Sequence, residues 1–197
     1  LLYDALAKAN RMAQVLDVVE AQTGWHDGDA EFSALAAKHV EESWKDASGK
    51  AMRESAGWDS NLPVQEALRR SRVLLSLKPQ ALCFEKTWGF GVVRSADMFY
   101  RKVTIDFKGK AGHQMSLAYA AESLEMVGDG HLLARLHREP AQVTEMIRSA
   151  PGEIARMALE SFGPLTAEQL KDRLAGSVVP DKDWPTFWEG ARKKLKD

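Results

Sequence analysis

The sequence predicts an α+β fold with a helical N-terminal array, a small five-stranded β-barrel and a C-terminal helical bundle of helix-turn-helix type. Apolar residues recur at helical spacing over residues 1–80. Over residues 81–127 the period shortens to two, in short segments rich in β-branched and aromatic residues. Helical spacing then returns over residues 128–197, interrupted by proline and glycine. We therefore expect three parts, 1–80, 81–127 and 128–197.

The N-terminal part reads as three or four amphipathic helices. The first is expected over residues 1–22, and Asp29 is placed to cap a second helix whose apolar face extends to Trp44. The pattern over 48–58 is ambiguous, and Pro63 lies inside the first turn of the last helix. Because the helical pattern begins at the first residue, which is not Met, we expect the chain to be a piece of a longer protein.

The middle part predicts a compact barrel of the SH3 or Tudor size. In the segment KVTIDF, Val103, Ile105 and Phe107 alternate with polar residues, which is typical of a half-buried strand. The following KGKAG supplies a hairpin turn. Residues 119–124 are expected to add a single helical turn and a closing strand.

The C-terminal part reads as short helices joined by tight breaks, which favours a helix-turn-helix or winged-helix bundle. Pro140 and Pro151 each open a helix, and Thr166 with Gln169 forms a capping-box pair. Asp183 is expected to cap the last helix. Because residues 128–197 contain as many acidic as basic residues, this part favours a protein partner over nucleic acid.

Composition and charge exclude several classes of function. The 27 Lys and Arg against 28 Asp and Glu give a net charge of −1, without the basic excess of a dedicated nucleic-acid binder. Cys83 is the only cysteine, so a disulfide framework and a cysteine zinc site are excluded, and we expect it to be a buried packing residue in a cytoplasmic protein. No run of about 18 apolar residues exists, so we expect no membrane span.

The motif TWGFGVV at residues 87–93 could be a phosphate-cradling loop, a catalytic loop or the opening of a small β-barrel. A dinucleotide fingerprint needs a third glycine and a following helix, and a P-loop ends in Gly-Lys-Ser/Thr; both are absent. In a small barrel, Gly89 and Gly91 would let the chain bend or bulge between strands. Trp88 and Phe90 would then lie near the barrel mouth, where they either plug the barrel or face a partner.

The middle part resembles the Tudor-like or KOW-like barrels of bacterial transcription proteins. It is similar to the polymerase-interacting domain of CarD-type regulators and to the C-terminal barrel of UvrD-type helicases. The matching positions are Gly89, Gly91, Val93, Ile105, Phe107, Gly109 and Leu124.

Residues 62–197 resemble more specifically the long N-terminal extension of Gre-type transcript-cleavage factors in chlamydia-like bacteria. Besides the WGFG motif, the matching residues are Met115, Ser116, Ser123, Leu124, His131, Leu133, Ala134, Arg135, Gly163, Pro164, Thr166, Leu170, Lys171, Val179, Pro180, Asp183, Trp184 and Trp188. Gre factors act through an antiparallel coiled coil whose acidic tip holds magnesium. Because no sustained heptads and no acidic tip are found here, the resemblance implies only the accessory portion.

The resemblance implies a non-catalytic module that docks on RNA polymerase or another transcription protein. An edge strand of the barrel could pair with a polymerase strand. The expected partner-binding residues are Trp88, Phe90, Phe99, Tyr100, Arg101 and Tyr119.

Two alternatives stay open. The first is direct binding of RNA or DNA, by base stacking on the same aromatics together with Lys86, Arg94, Arg101 and Lys102. The second is an architectural spacer for another domain. An enzyme is not expected, because the histidines and carboxylates form no catalytic motif, and no cofactor or metal is expected either.

Overall fold

A computed structural model of the chain describes residues 2–9, 11–26, 28–42 and 48–195. The chain divides into two compact units, Leu1–Met126 and Val127–Asp197. The first unit combines helices with a five-stranded sheet, and the second is helical. The predicted α+β fold class is therefore confirmed. None of the helices in the described ranges combines the length and the hydrophobicity that crossing a bilayer requires.

Five helices precede the sheet in the first unit: α1 (Leu2–Lys8), α2 (Met12–Thr23), α3 (Ala30–Glu42), α4 (Ser48–Ala56) and α5 (Val64–Ser76). The single helix predicted over residues 1–22 is wrong, because Arg11 leaves helical geometry (φ −101°, ψ 61°) and separates α1 from α2. Asp29 caps α3 as predicted, since its Oδ1 accepts hydrogen bonds from the backbone N–H of Glu31 (2.9 Å) and Phe32 (3.2 Å). Trp44 lies outside the described residues.

The sheet has the strand order β4-β3-β2-β1-β5. Its elements are β1 (Leu82–Glu85), β2 (Gly89–Asp97), β3 (Lys102–Phe107), β4 (Lys110–Ser116), α6 (Leu117–Ser123) and β5 (Glu125–Val127). The first four strands pair as antiparallel neighbours. The predicted alternation in β3 is confirmed, because Val103, Ile105 and Phe107 are buried. Closure of this sheet into a barrel stays a prediction.

The helix that precedes β5 is longer than predicted. Instead of one turn from Tyr119, α6 begins at Leu117, because the side chain of Ser116 accepts a hydrogen bond from the Tyr119 N–H (3.1 Å) and caps it. The guanidinium of Arg69 on α5 donates to the backbone carbonyls of Ala121 (3.2 Å) and Glu122 (3.0 Å) on this helix.

One hydrophobic core joins the helices of the first unit to its sheet. The core includes the buried side chains of Leu16, Met52, Leu74, Ile105, Leu117 and Leu124. The segments 1–80 and 81–127 thus share a core in this structure. Their separation into two folding domains stays a prediction from the change in period.

The second unit contains α7 (Leu132–Arg138), α8 (Pro140–Ser149), α9 (Pro151–Phe162), α10 (Ala167–Leu174) and α11 (Trp184–Lys194). The predicted capping box at Thr166 and Gln169 is present. The predicted cap at Asp183 is wrong: in the described part of this unit its side chain makes no capping hydrogen bond. Asp183 is the last residue of a 3₁₀ turn, Asp181–Asp183, and has right-handed helical dihedrals. A capping residue normally has an extended backbone, so the side chain of Asp183 is not placed to cap α11.

Ionised Glu66 stabilises the first unit, and this stabilisation is lost in acid. It accepts hydrogen bonds from Arg69 and Arg70, each at 2.8 Å, and the bond from Arg69 is the largest cause that lowers the pKa of Glu66 from 4.5 to about 2. Because the pKa is lower in the folded state, this stabilisation is present above pH 4.5 and is lost as the pH falls toward 2.

We expect Glu66→Gln to lower the free energy of unfolding at neutral pH and to flatten its decline between pH 4.5 and 2. Urea unfolding at a series of pH values measures this. Glu31→Gln, at an exposed position of α3, is the matched control and should leave the decline in place. An unchanged slope in the Glu66 variant would show that the cluster with Arg69 and Arg70 does not contribute.

Candidate partner-binding site

The structure separates the predicted partner-binding residues into two groups at opposite ends of the sheet. Trp88 lies in the turn between β1 and β2 and Phe90 is the second residue of β2, and we call this end of the sheet the tryptophan end. Phe99 and Tyr100 lie at the turn between β2 and β3, which we call the aromatic tip, and Arg101 follows them. Residues 91–97 of β2 lie between the two groups, and these seven residues at about 3.3 Å each separate them by roughly 23 Å. The six residues therefore do not form one surface.

A buried carboxylate orders the tryptophan end. Glu85 is 3% exposed, and its Oε2 accepts hydrogen bonds from the backbone N–H of Thr87 (2.7 Å) and Trp88 (2.9 Å). Gly89 follows in the left-handed region with φ 74°, as the turn requires. Sequence reasoning missed Glu85, although a glutamate immediately before a turn is placed to accept from the turn's backbone N–H groups.

The indole of Trp88 packs against side chains of its own unit. Its ring centroid lies 4.7 Å from that of His113 and 6.3 Å from that of Phe107, and Lys110 Nζ lies 4.8 Å from the ring centroid. The side chain is 36% exposed, and Phe90 is half-buried opposite Phe84 on β1. These contacts favour a packing role at this end.

Gly91 serves close packing rather than a bend. It is paired with Phe107 on β3, and a Cβ at this position would lie 2.7 Å from two ring carbons of Phe107 and 2.8 Å from a methyl carbon of Ile105. The expected bending role belongs to Gly89, whose φ is positive. Gly91 instead leaves room for the Phe107 ring on which Trp88 stacks.

The aromatic tip is exposed and held in a fixed geometry. Phe99 is 85% and Tyr100 70% exposed, and their rings meet edge to face with centroids 5.0 Å apart. The carboxylate of Asp97 accepts a hydrogen bond from the Tyr100 N–H (2.8 Å), which fixes the turn. A third large exposed aromatic of this unit, Trp25, lies in the turn after α2, apart from the sheet, and is 81% exposed.

Arg101 follows the aromatic tip in the chain, and Tyr119 lies on the helix α6 to which Arg101 is hydrogen-bonded. The Arg101 carbonyl accepts a hydrogen bond from the Leu117 N–H (2.9 Å), and its Nη1 lies 2.5 Å from Glu54 Oε2 on α4. Arg101 has φ 52°, a left-handed conformation that non-glycine residues rarely adopt. Tyr119, on the first turn of α6, is 47% exposed. Arg101 thus connects the tip to α4 and α6, and Tyr119 is an exposed side chain of the second of these helices.

Two of the four basic residues considered for phosphate binding already have acidic partners. Arg101 pairs with Glu54, and Arg94 pairs with Asp106 across the β2–β3 ladder. The hydrogen bond from Arg94, and next that from the Gly112 N–H (2.7 Å), lower the pKa of Asp106. Lys86 and Lys102 are exposed. The sheet therefore offers less positive charge than its sequence suggests.

Across the described ranges, no group of three or more histidine, cysteine or carboxylate side chains is placed to hold a metal ion. The predicted burial of Cys83 is confirmed: it has no exposed surface, and burial raises the pKa of its thiol to about 12. Its Sγ lies 3.5 Å from the carbonyl oxygen of Gly91 on the paired strand. Cys83 is thus a packing residue of the sheet.

Most of the second unit is similar to a known domain family. Residues 133–197 match the GRAD helix-turn-helix domain family. The match covers α8 to α11 and nearly all of α7, and agrees with the helix-turn-helix type of bundle predicted from the sequence.

The chain is also similar to two chlamydial proteins, both named transcription elongation factor GreA. It is 32% identical to that of Chlamydia pneumoniae over 110 residues, which cover 55% of this chain and 15% of the relative. It is 25% identical to that of Chlamydia trachomatis serovar D over 198 residues, covering 99% of this chain and 27% of the relative. No solved structure is significantly similar.

These relatives confirm the similarity to Gre-type factors that the sequence motifs indicated. The chain spans less than a third of the length of either relative. The resemblance to CarD-type and UvrD-type barrels stays a prediction.

Proposed function

We propose that the chain is a non-catalytic interaction module of a GreA-like transcription elongation factor, which docks on RNA polymerase through the aromatic tip and Tyr119. The observation that carries the proposal is the pair of adjoining rings at one hairpin end, 85% and 70% exposed. The names of the two relatives support the transcription context. RNA polymerase is thus the partner that the similarity favours.

The aromatic tip has the physical properties of an anchor for a protein partner. Aromatic side chains each bury roughly 150–250 Å² on association and dominate the energetics of interfaces. The bond from Asp97 and the attachment of Arg101 to α4 and α6 hold the turn in place before binding, which reduces the entropy lost on docking.

The edge strand β4 offers a second element of the same interface. It lies at one end of the strand order, and its last residue, Ser116, pairs with Lys102 immediately after the tip. Most of its side chains are exposed. Pairing with a strand of the polymerase would add main-chain hydrogen bonds beside the aromatic anchors.

The charges favour a protein over a nucleic acid as the partner. Base stacking on exposed rings suits single strands, but binding also needs cations along the phosphates. Arg94 and Arg101 are neutralised by Asp106 and Glu54, which leaves Lys86 and Lys102 of the four residues considered. These two pairings therefore weaken the nucleic-acid alternative.

We expect the double variant Phe99→Ser/Tyr100→Ser to bind bacterial core RNA polymerase at least about tenfold more weakly, because loss of each anchor ring costs roughly 1 kcal/mol or more. Biolayer interferometry with immobilised polymerase measures the affinity. Both positions are exposed, so the thermal unfolding midpoint should not change.

Trp25→Ser removes an equally exposed aromatic away from the sheet and is the matched control. Equal binding by the double variant and the wild type would contradict the proposal. Steeply salt-dependent binding of a labelled single-stranded oligonucleotide, lost in the double variant, would favour the nucleic-acid alternative instead.

A further inference from the structure

The second unit contains a groove of about 380 Å³. It forms where the end of α8, the loop after α10 and the start of α11 meet, and its floor is apolar. Ile147, Val178 and Phe187 supply buried side chains to this floor. The volume is within the range of small-ligand sites and has room for one or two side chains.

The rim of the groove is polar and carries more positive than negative charge. Arg148 projects from α8 and Lys182 from the 3₁₀ turn, and both side chains are exposed. Over residues 127–195, neither has a carboxylate within ion-pair distance. Among the lining residues that the structure describes, Asp183 is the one carboxylate. An occupant that supplies carboxylates would therefore meet two cations that form no ion pair within residues 127–195.

We propose that this groove binds a short acidic peptide segment of a partner protein. An apolar side chain of the peptide lies on the floor, and flanking carboxylates pair with Arg148 and Lys182. The backbone N–H groups of the peptide match the carboxylate of Asp183, and its carbonyls match the hydroxyl of Thr186 on the groove side of α11. This combination of donors, acceptors and apolar floor is complementary to a peptide.

A nucleic acid fits the same groove less well. A phosphate backbone has no apolar group to place on the buried floor formed by Ile147, Val178 and Phe187, whereas the peptide has one. The residues from 128 onward contain as many acidic as basic side chains, without the excess that phosphate binding requires. The inference rests on the second unit alone, so its failure and that of the aromatic tip are separate results.

The test uses the 197-residue chain and fluorescence anisotropy with labelled short peptides in which Leu-Phe is flanked by aspartates. We expect saturable binding that Arg148→Glu/Lys182→Glu weakens about tenfold, because two favourable pairs become repulsive. Thr186→Trp, which fills the groove from an exposed position, should weaken it to a similar extent. Circular dichroism checks that both variants fold.

The matched control is Lys171→Glu, a charge reversal at an exposed position of α10 outside the groove lining, which should leave affinity unchanged. Equal affinity for peptides with lysines in place of aspartates would overturn the proposal, as would equal weakening by Lys171→Glu. Absence of saturable binding to every aspartate peptide would also overturn it. The proposal would also be overturned if a labelled DNA duplex competed with the peptide and the Arg148→Glu/Lys182→Glu variant no longer bound that duplex.

Discussion

Gly91→Ala is expected to lower the free energy of unfolding of the first unit by about 1–2 kcal/mol. The added Cβ would lie 2.7 Å from the buried Phe107 ring, and overpacking of this kind typically costs about 1–3 kcal/mol. Replacing a strand glycine by alanine returns roughly 0.5–1 kcal/mol of backbone entropy, which does not offset the clash. Because Trp88 stacks on Phe107, the tryptophan end should shift as well.

Gly109→Ala is the matched control for this prediction. It lies in the turn between β3 and β4, and a Cβ there would have no atom within 4 Å. Urea unfolding monitored by tryptophan fluorescence compares the two variants, and the reactivity of the Cys83 thiol reports opening of the β1–β2 pair. Equal stability of the Gly91 and Gly109 variants would contradict the packing role of Gly91.

Trp58→Ala is expected to have the largest effect on stability, a loss of about 3–5 kcal/mol. Trp58 follows α4, is 6% exposed and packs in the core shared by the helices and the sheet. Its Nε1 donates a hydrogen bond to Ser71 Oγ (2.9 Å), and that hydroxyl donates to the Ala67 carbonyl (2.8 Å). The substitution removes a large apolar side chain from the core. It also removes the indole N–H that donates to the buried Ser71 hydroxyl.

Trp25→Ala applies the same chemical change at an 81% exposed position and should alter stability by less than about 0.5 kcal/mol. Guanidinium unfolding followed by far-ultraviolet circular dichroism, which does not depend on the tryptophan signal, measures both variants. A loss at Trp58 no larger than that at Trp25 would show that the hydrogen-bonded indole is not part of a cooperative core.

The elements best predicted from the sequence are those marked by a local sequence signal. The strict alternation in KVTIDF, the prolines at the starts of α8 and α9 and the capping box at Thr166 each correspond to the observed structure. The break between α1 and α2 does not interrupt the spacing of apolar residues. A prediction from periodicity alone therefore gives one helix where the structure has two. The cap at Asp183 failed because a 3₁₀ turn has no separate sequence pattern.

The candidate site depends on register, which a single sequence predicts only in part. That Gly91 faces Phe107 follows from the pairing of β2 with β3, which no local motif specifies. The partners of Arg94 and Arg101 are likewise set by the tertiary structure. The separation of Trp88 from Tyr100, however, was accessible, because the long strand between them in the sequence already places them at opposite ends of a hairpin.

Site-specific photo-crosslinking tests the central proposal most directly. A benzophenone amino acid replaces Phe99 in one sample and Trp25 in another, and each is irradiated with bacterial core RNA polymerase. Since both side chains are more than four-fifths exposed, they are equally available for reaction. We expect a crosslink to one polymerase subunit from position 99 and none from position 25. No crosslink from position 99, or equal crosslinks from both, would contradict docking through the aromatic tip.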